Sequence, residues 1–498
     1  MTVHLGIDLG TSSVKCVLLS ESGEVTAASQ VAYGIDRPHP GWAEQDPELW
    51  WSATVDAVRE VLVRGGALPS SIGLSGQMHG IVLLDERGLP VRPAIIWPDA
   101  RTRAEAELWR TAVGDAQVTS RCGMPIASGL AGLSLTWLSK HEPAALAAAS
   151  SVLQPKDWIR FRLTGALALE PTDACATLLF SIVDEQPVPE LLALAGVSRE
   201  QLPPMMATQS VAGEVTRRAA DATGLRPGTP VAAGGGDQAM AAIALGLDRP
   251  ERAAISISSS GTAVVPLELG TRSIATLSRT HHVIAGAHPG SRMAMGVVLA
   301  AGLATRWLAE DLLQGLASEG ELLEAADAIL PGSEGLTANP HLGGLRTPVV
   351  DGRPQGAFLG LGFHHRPAHL MRAVVDGVAL SLAQSVLATP ARSPVKEIVL
   401  SGGGSRFAVW HRAIADASGL PVVLSADVDH SPLGAALVGA IAAGQPVDFD
   451  SGARIRGRVE PDPVRAAAYR RVAATAAGCG AQPMVSLDTP PISEVTSA

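Results

Sequence analysis

The sequence predicts an α/β fold of two related domains facing each other across a cleft, and three observations predict it. Runs of β-type residues alternate with segments of helical periodicity along the chain. A strand–turn–strand unit with a glycine- and serine-rich turn opens the sequence at Leu5–Leu19 and returns half a chain later at Ile255–Leu267. At 498 residues the chain is also too long for a single hydrophobic core. The polar, aperiodic segment Gly246–Ala253 marks the boundary, which gives a first domain over 1–246, a second over 254–445 and a C-terminal extension over 446–498.

Taken in order, LGIDLG and VKCVLLS pair as a hairpin, and Gly23–Tyr33 extends the same meander. Pro47–Gly66 is an amphipathic helix, with proline in its first turn and glycine at its end. Ser71–Asp85 is a buried strand, a polar turn and a second strand, and Arg92–Trp109 is a strand, a proline-containing loop and a helix. Gly228–Gly246 repeats the strand, glycine turn and alanine-rich helix. The second half follows the same alternation and ends in a helix over Ser431–Gly444, after which the Pro/Ser/Thr-rich Ser486–Ala498 is expected to fray.

Composition narrows the class. Hydrophobic residues make up 47% and charged residues 17%, a globular balance. With only 6 Phe and 2 Tyr, the cores have to be built from Ala, Val, Leu and Ile. A net charge of −10 excludes a nonspecific nucleic-acid binder, which needs a basic surface to displace counterions. It does not exclude ATP, because a loop of backbone N–H dipoles with a divalent cation holds phosphates locally. Cys16, Cys122, Cys175 and Cys479 are far apart and form no CxxC, so neither a disulfide scaffold nor a zinc site is expected. Met1 leads straight into a strand, and the longest apolar run, Met293–Ala304, is too short for a bilayer. These features predict a cytoplasmic protein without membrane or nucleic-acid partners, and they leave a homodimer open.

The chemistry concentrates at four glycine turns. Asp8 stands on the strand entering Gly10-Thr11-Ser12-Ser13, where a carboxylate beside a phosphate loop suits Mg²⁺. Asp237 closes Gly234–Asp237, placed to act as general base on a sugar hydroxyl, although an acid before a helix also fits a plain N-cap. Ser258-Ser259-Ser260-Gly261 forms the second phosphate loop. Gly402-Gly403-Gly404-Ser405 follows a strand and offers a flat backbone to an adenine or ribose. Between the first two turns, Gln77, Met78 and His79 could line a polyol pocket, or pack as a core Met and a satisfied His.

Together these residues resemble the FGGY carbohydrate kinases, a family with the actin-like, ribonuclease-H-like fold. Pro155–Gly165 resembles the first family signature, and Gly356–Gly377 matches the spacing of the second through Gly360, His369, Ala373 and Asp376. Within the family, Arg37–Trp51, Gly73–Gly80 and Trp97–Arg101 resemble the branch that phosphorylates D-xylulose to D-xylulose 5-phosphate. The resemblance implies that Asp237 is the base, Asp8 serves Mg²⁺, and Met78, His79 and Asp99 lie at the sugar. It further implies that Gly10–Ser13 and Ser258–Gly261 embrace the ATP phosphates, with Gly402–Ser405 near the adenosine.

Five positions depart from the usual family forms. Ser258 stands for a glycine and Ser259 for a threonine in the second phosphate loop, Pro98 for an asparagine, and Gln238 for a frequent asparagine after the base. Gly344-Leu345-Arg346-Thr347-Pro348 also lacks an acid found at Leu345 in relatives. Two alternatives therefore stand beside xylulose phosphorylation: a kinase for another ketose or a polyol, and a catalytically weak, kinase-like sugar-binding protein.

Overall fold

The computed structural model describes residues 2–249, 251–267, 271–347, 353–389, 394–426, 429–445, 447 and 454–478. Cys479 and the segment 486–498, for which fraying is expected, lie outside the described residues. The first lobe is built on strands β1 (Val3–Leu9), β2 (Ser13–Ser20), β3 (Val25–Ala32), β4 (Ser71–Gly76), β5 (Val211–Glu214), β6 (Pro230–Ala232) and β7 (Gly235–Gly236). They lie in the order β3-β2-β1-β4-β6-β5, with β7 also paired to β4. The β1, β2 and β3 pairings are antiparallel, those of β1 with β4 and β4 with β6 are parallel, and β5 closes the edge antiparallel.

Three helices complete the part of this lobe that positions the site: α1 (Pro47–Gly65), α2 (Pro155–Thr164) and α3 (Asp237–Ala244). The sequence sets the ends of α1: the Asp46 side chain accepts from the Glu48 N–H at 2.9 Å, Pro47 takes the first turn, and Gly66 stops the helix at φ 63°.

The second lobe carries β8 (Arg252–Ile257), β9 (Gly261–Leu267), β10 (His282–Ala285), β11 (Arg292–Val298), β12 (Glu397–Ser401), β13 (Val422–Ser425) and β14 (Ile455–Val459), in the order β10-β11-β9-β8-β12-β13-β14. Its run from β11 to β13 repeats the strand directions of β3-β2-β1-β4-β6, and β14, like β5, adds an antiparallel edge. The expected pair of related α/β domains is present. Helix α4 (Pro367–Leu387) is long and apolar enough to cross a membrane, but most of it is buried against the second core.

Helix α5 (His430–Ala442) lies in sequence between β13 and β14 of the second sheet yet packs on the first. Period-two alternation explains how. Val3, Leu5, Ile7 and Leu9 face the first core, while His4, Gly6 and Asp8 pair in register with Ser71, Gly73 and Ser75 on the other face. A Cβ on Gly6 would lie 1.8 Å from the Pro432 carbonyl oxygen, so the helix backbone rests directly on this glycine row. The lobes also meet across the cleft, where Val283 N–H donates to Gly123 O at 2.7 Å and Arg292 Nε to Ile182 O at 2.5 Å.

Candidate active site

The carboxyl ends of three parallel strands converge at the cleft, the end at which open α/β sheets bind ligands. Asp8 on β1 stands opposite Ser75 on β4, and Ser75 opposite Gly235 on β7; one step on are Leu9, Gly76 and Gly236. Asp237 comes next and begins α3, with Gly236 as the N-cap. The two acids read from the sequence are thus brought to one end of one sheet.

Their electrostatics are linked. Burial, reinforced by the Asp8 charge, pushes the Asp237 carboxyl up to about 7, against hydrogen bonds from Gln238. Burial likewise pushes Asp8 up to about 6, opposed by the Ser75 hydroxyl and Lys15 and assisted by Asp429. Asp8 is 8% exposed and its Oδ1 has no hydrogen-bond partner. Both groups change charge near neutral pH, which is typical of acids that handle protons or cations.

Asp8 opens onto a cavity of about 250 Å³ walled from both lobes. The first lobe supplies Asp8, Lys15 and Gln238; the second supplies Ser258, Ser260, Thr262, Ser401 and Gly402; Asp429 and Ser431 complete the wall. Three of the four glycine turns therefore contribute residues or immediate neighbours. Lys15 is the one Lys or Arg among these lining residues, and it is ion-paired to Asp429 at the start of α5.

The first turn is braced on every side. Gly10 N–H donates to Ser13 O at 3.0 Å, and the Tyr33 hydroxyl donates to Gly10 O. Gln45 donates to Thr11 O at 2.8 Å, Trp97 Nε1 to the Thr11 hydroxyl at 2.8 Å, Gln30 to the Ser13 hydroxyl at 3.0 Å, and Tyr33 N–H to Ser12 O at 2.9 Å. In the second turn, Ser258 N–H donates to Ser260 O at 2.9 Å, while Ser259 O accepts from Ala301 and Leu303. Ser258 keeps a negative φ, so the serine in place of glycine sits without left-handed strain. Gly402 lines the cavity at φ 80°, whereas Gly403, Gly404 and Ser405 form a 3₁₀ turn that leads away from it.

Of the residues read as sugar contacts, Met78 packs on the turn that carries the base: a Cβ on Gly236 would meet Met78 Cγ at 2.8 Å. His79 adopts φ 69° and its Nδ1 lies 2.9 Å from Ala176 O. A carbonyl only accepts, so Nδ1 carries the proton and Nε2 is left as an acceptor. Burial, with Arg346 nearby, brings the imidazole down to about 4 and keeps it neutral. Gln77 is 2% exposed and donates to Gln45 Oε1 at 3.1 Å. Asp99 is different: both of its oxygens are taken, accepting from Ala43 N–H at 2.7 Å and from the Arg101 guanidinium at 2.8–3.0 Å. It anchors Arg101, which stacks over Trp42 at 3.6 Å.

Several site residues were not visible as such in the sequence. Lys15, Ser75, Asp429 and Ser431 reach the site only through strand pairing and the placement of α5. The signature segments are internal braces. Lys156, wholly buried, pairs with Asp157, Glu170 and Asp173 at 2.8, 3.2 and 2.9 Å. Arg372 in α4 pairs with Asp376 at 2.8 Å, and Tyr469 donates to the same carboxylate at 2.6 Å.

A duplicated sheet that presents serine- and glycine-rich turns to one cavity, with Asp8 in its wall and Asp237 next in sequence to the lining Gln238, defines a phosphoryl-transfer enzyme of two lobes. Comparison with known proteins narrows the class. Family models of the N-terminal and C-terminal domains of the FGGY carbohydrate kinases match residues 3–244 and 253–443. The xylulose kinase of Klebsiella pneumoniae is 35% identical over 90% of this chain and 91% of its own length. That of Escherichia coli K12 is 35% identical over 89% and 90%. The crystal structure of xylulose kinase from Rhodospirillum rubrum superposes with a TM-score of 0.86 at 30% identity, covering 96% of this chain and 98% of that one. The chain belongs to the FGGY family of carbohydrate kinases, enzymes that phosphorylate sugars at the expense of ATP.

Proposed function

We propose that this kinase transfers the γ-phosphoryl group of ATP to the terminal hydroxyl of D-xylulose, giving D-xylulose 5-phosphate. The observation that carries the reading is the position of Asp237, beside Asp8 at the end of three in-register parallel strands. Xylulose kinases at 35% identity over nine-tenths of the chain support the acceptor.

Asp237 accepts the proton of the attacking hydroxyl. With a carboxyl near 7 it is ionised in a useful fraction at cellular pH and remains basic enough to take that proton. Met78 packs against the turn that carries the base, His79 offers Nε2 to a sugar hydroxyl, and Gln77 and Asp99 hold the surrounding loops. Backbone N–H groups and hydroxyls of Gly10–Ser13 and Ser258–Gly261 receive the phosphates from opposite lobes, with Gly402–Ser405 toward the adenosine.

Asp8 lines the cavity and its buried Oδ1 has no hydrogen-bond partner, which fits a carboxylate that serves a cation. Among the described residues no three His, Cys, Asp or Glu side chains are grouped to hold one unaided. Mg²⁺, which keeps waters and borrows phosphate oxygens, suits that donor set, and when bound it neutralises charge on the phosphates. A cytoplasmic setting, where ATP is made and thiols stay reduced, suits the buried free Cys16, Cys122 and Cys175.

The test is sugar-dependent ADP release over a panel of ketopentoses, ketohexoses and polyols. D-xylulose is expected to give the highest kcat/KM. A higher value for a polyol would move the acceptor, and ATP binding without turnover on any sugar would end the kinase reading.

A further inference from the structure

Against the turn that carries Asp237 lies the segment Glu170–Asp173, whose three polar residues, Glu170, Thr172 and Asp173, are buried. Thr172 is 1% exposed. Its hydroxyl accepts the Gly236 N–H at 2.8 Å and gives its own proton to Glu170, whose oxygens lie 2.8 and 2.9 Å away. A hydroxyl has one proton, so this division is forced: the carboxylate only accepts and the amide only donates. Glu170 is in turn saturated by the Thr172 and Asp173 N–H groups at 2.9 Å, by the Thr208 hydroxyl at 2.9 Å, and by Lys156 at 3.2 Å.

The contact is also steric. A Cβ on Gly235 would come within 2.9 Å of Thr172 Oγ1, and one on Gly236 within 3.1 Å of Asp173 Oδ1, so the glycine turn is seated on this segment. Lys156 fixes the seat by pairing with Glu170 and Asp173 together. One continuous chain of contacts therefore runs from a buried lysine through Glu170 and Thr172 to the amide N–H of Gly236, the residue that immediately precedes Asp237.

We infer that Thr172 is a positioning residue for Asp237, holding the Gly236 peptide so that the carboxylate meets the acceptor hydroxyl at a fixed angle. The inference rests on Asp237 being the base proposed above. Thr172 touches no reacting atom and acts through the Gly236 amide alone. Its loss should therefore lower the rate of transfer without weakening either substrate's binding, because orientation of the base matters chiefly in the transition state.

The experiment compares Thr172→Val, Thr172→Ser and Asp237→Asn in the full-length chain, reading kcat and both KM values alongside a circular-dichroism melt. Valine keeps the shape and removes the hydroxyl. Expected is a folded Thr172→Val protein with kcat down ten- to a hundredfold and each KM within threefold of wild type, and Thr172→Ser back to within threefold in kcat. Unchanged kcat in Thr172→Val, a parallel rise in both KM values, or no rescue by serine overturns the inference. Hydrogen exchange of the wild-type Gly236 amide tests it without any variant: slow exchange is expected, and exchange at the rate of an exposed amide overturns it, even should Thr172→Val fail to fold. Turnover retained in Asp237→Asn would instead remove the base itself, whereas an inactive Asp237→Asn beside a fully active Thr172→Val removes only the role of Thr172.

Discussion

Gly73 and Ala435 belong to different lobes, yet a Cβ on Gly73 would lie 1.7 Å from the Ala435 carbonyl oxygen. Gly439 returns the contact, its own Cβ position falling 2.6 Å from Gly73 N, and a Cβ on Gly434 would lie 1.8 Å from Met240 O. The obstacles are backbone atoms, which cannot swing aside as a side-chain tip does. Gly73→Ala is therefore expected to push α5 off the first sheet and destabilise the protein by about 3 kcal/mol or more, at or beyond the upper end of ordinary overpacking. Thermal unfolding compared with Gly290→Ala, where a Cβ meets open space at φ 72°, separates packing from backbone strain. An equal loss in both variants would refute the contact's importance.

Asp237→Asn should reduce turnover at least a thousandfold and yet make the free protein more heat-stable at pH 8. A carboxyl raised from its unfolded value to about 7 binds its proton more tightly when folded. Its stabilising contribution is present at pH 4 and lost as pH climbs through 7. Asparagine mimics the neutral form, so the gain in melting temperature should be a few degrees at pH 8, smaller at pH 5, and should approach nil only as the pH falls below the unfolded carboxyl value of about 4. A gain independent of pH would contradict the burial of this charge.

The same two acids predict a coupled titration. Asp8 raises Asp237, so Asp8→Asn should lower the Asp237 midpoint, read by carbon-13 NMR of the carboxyl in the nucleotide-free protein. An unmoved midpoint would show that the two side chains do not sense each other.

Trp97→Phe removes the indole donor to the Thr11 hydroxyl while keeping an aromatic ring. Because Trp97 is 49% exposed, little core packing is lost. Expected is a three- to tenfold rise in KM for ATP, the effect of about one neutral hydrogen bond, with KM for the sugar steady. A change confined to the sugar would reassign this loop.

Much of this was legible in the sequence because glycine turns announce themselves locally. The turns at Gly10, Gly234 and Ser258, and the hairpins flanking the first and third, follow from composition and period-two alternation alone. What stayed hidden depends on partners distant in sequence. Gly6, Gly73 and Gly434 are plain to see, but nothing near them says that α5 will cross from the second half of the chain to lie on the first sheet. The family resemblance places Asp99 at the sugar, but nothing in the local sequence shows that Arg101 of the same loop pairs with both of its oxygens. Lys156, Glu170 and Asp173 look like surface charges in the sequence; folding buries all three together.

The two sheets share their strand order and directions from β3 to β6 and from β11 to β13, so the hairpins that carry the two serine-rich turns are topological copies. The reaction has no such symmetry: one end of the phosphate chain carries a purine, the other meets a sugar. That inequality must be written in the parts that are not copied, namely 77–210 in the first half and 299–396 in the second. Acceptor preference can then drift in evolution by remodelling one insertion, while the inherited twin frame stays as it is.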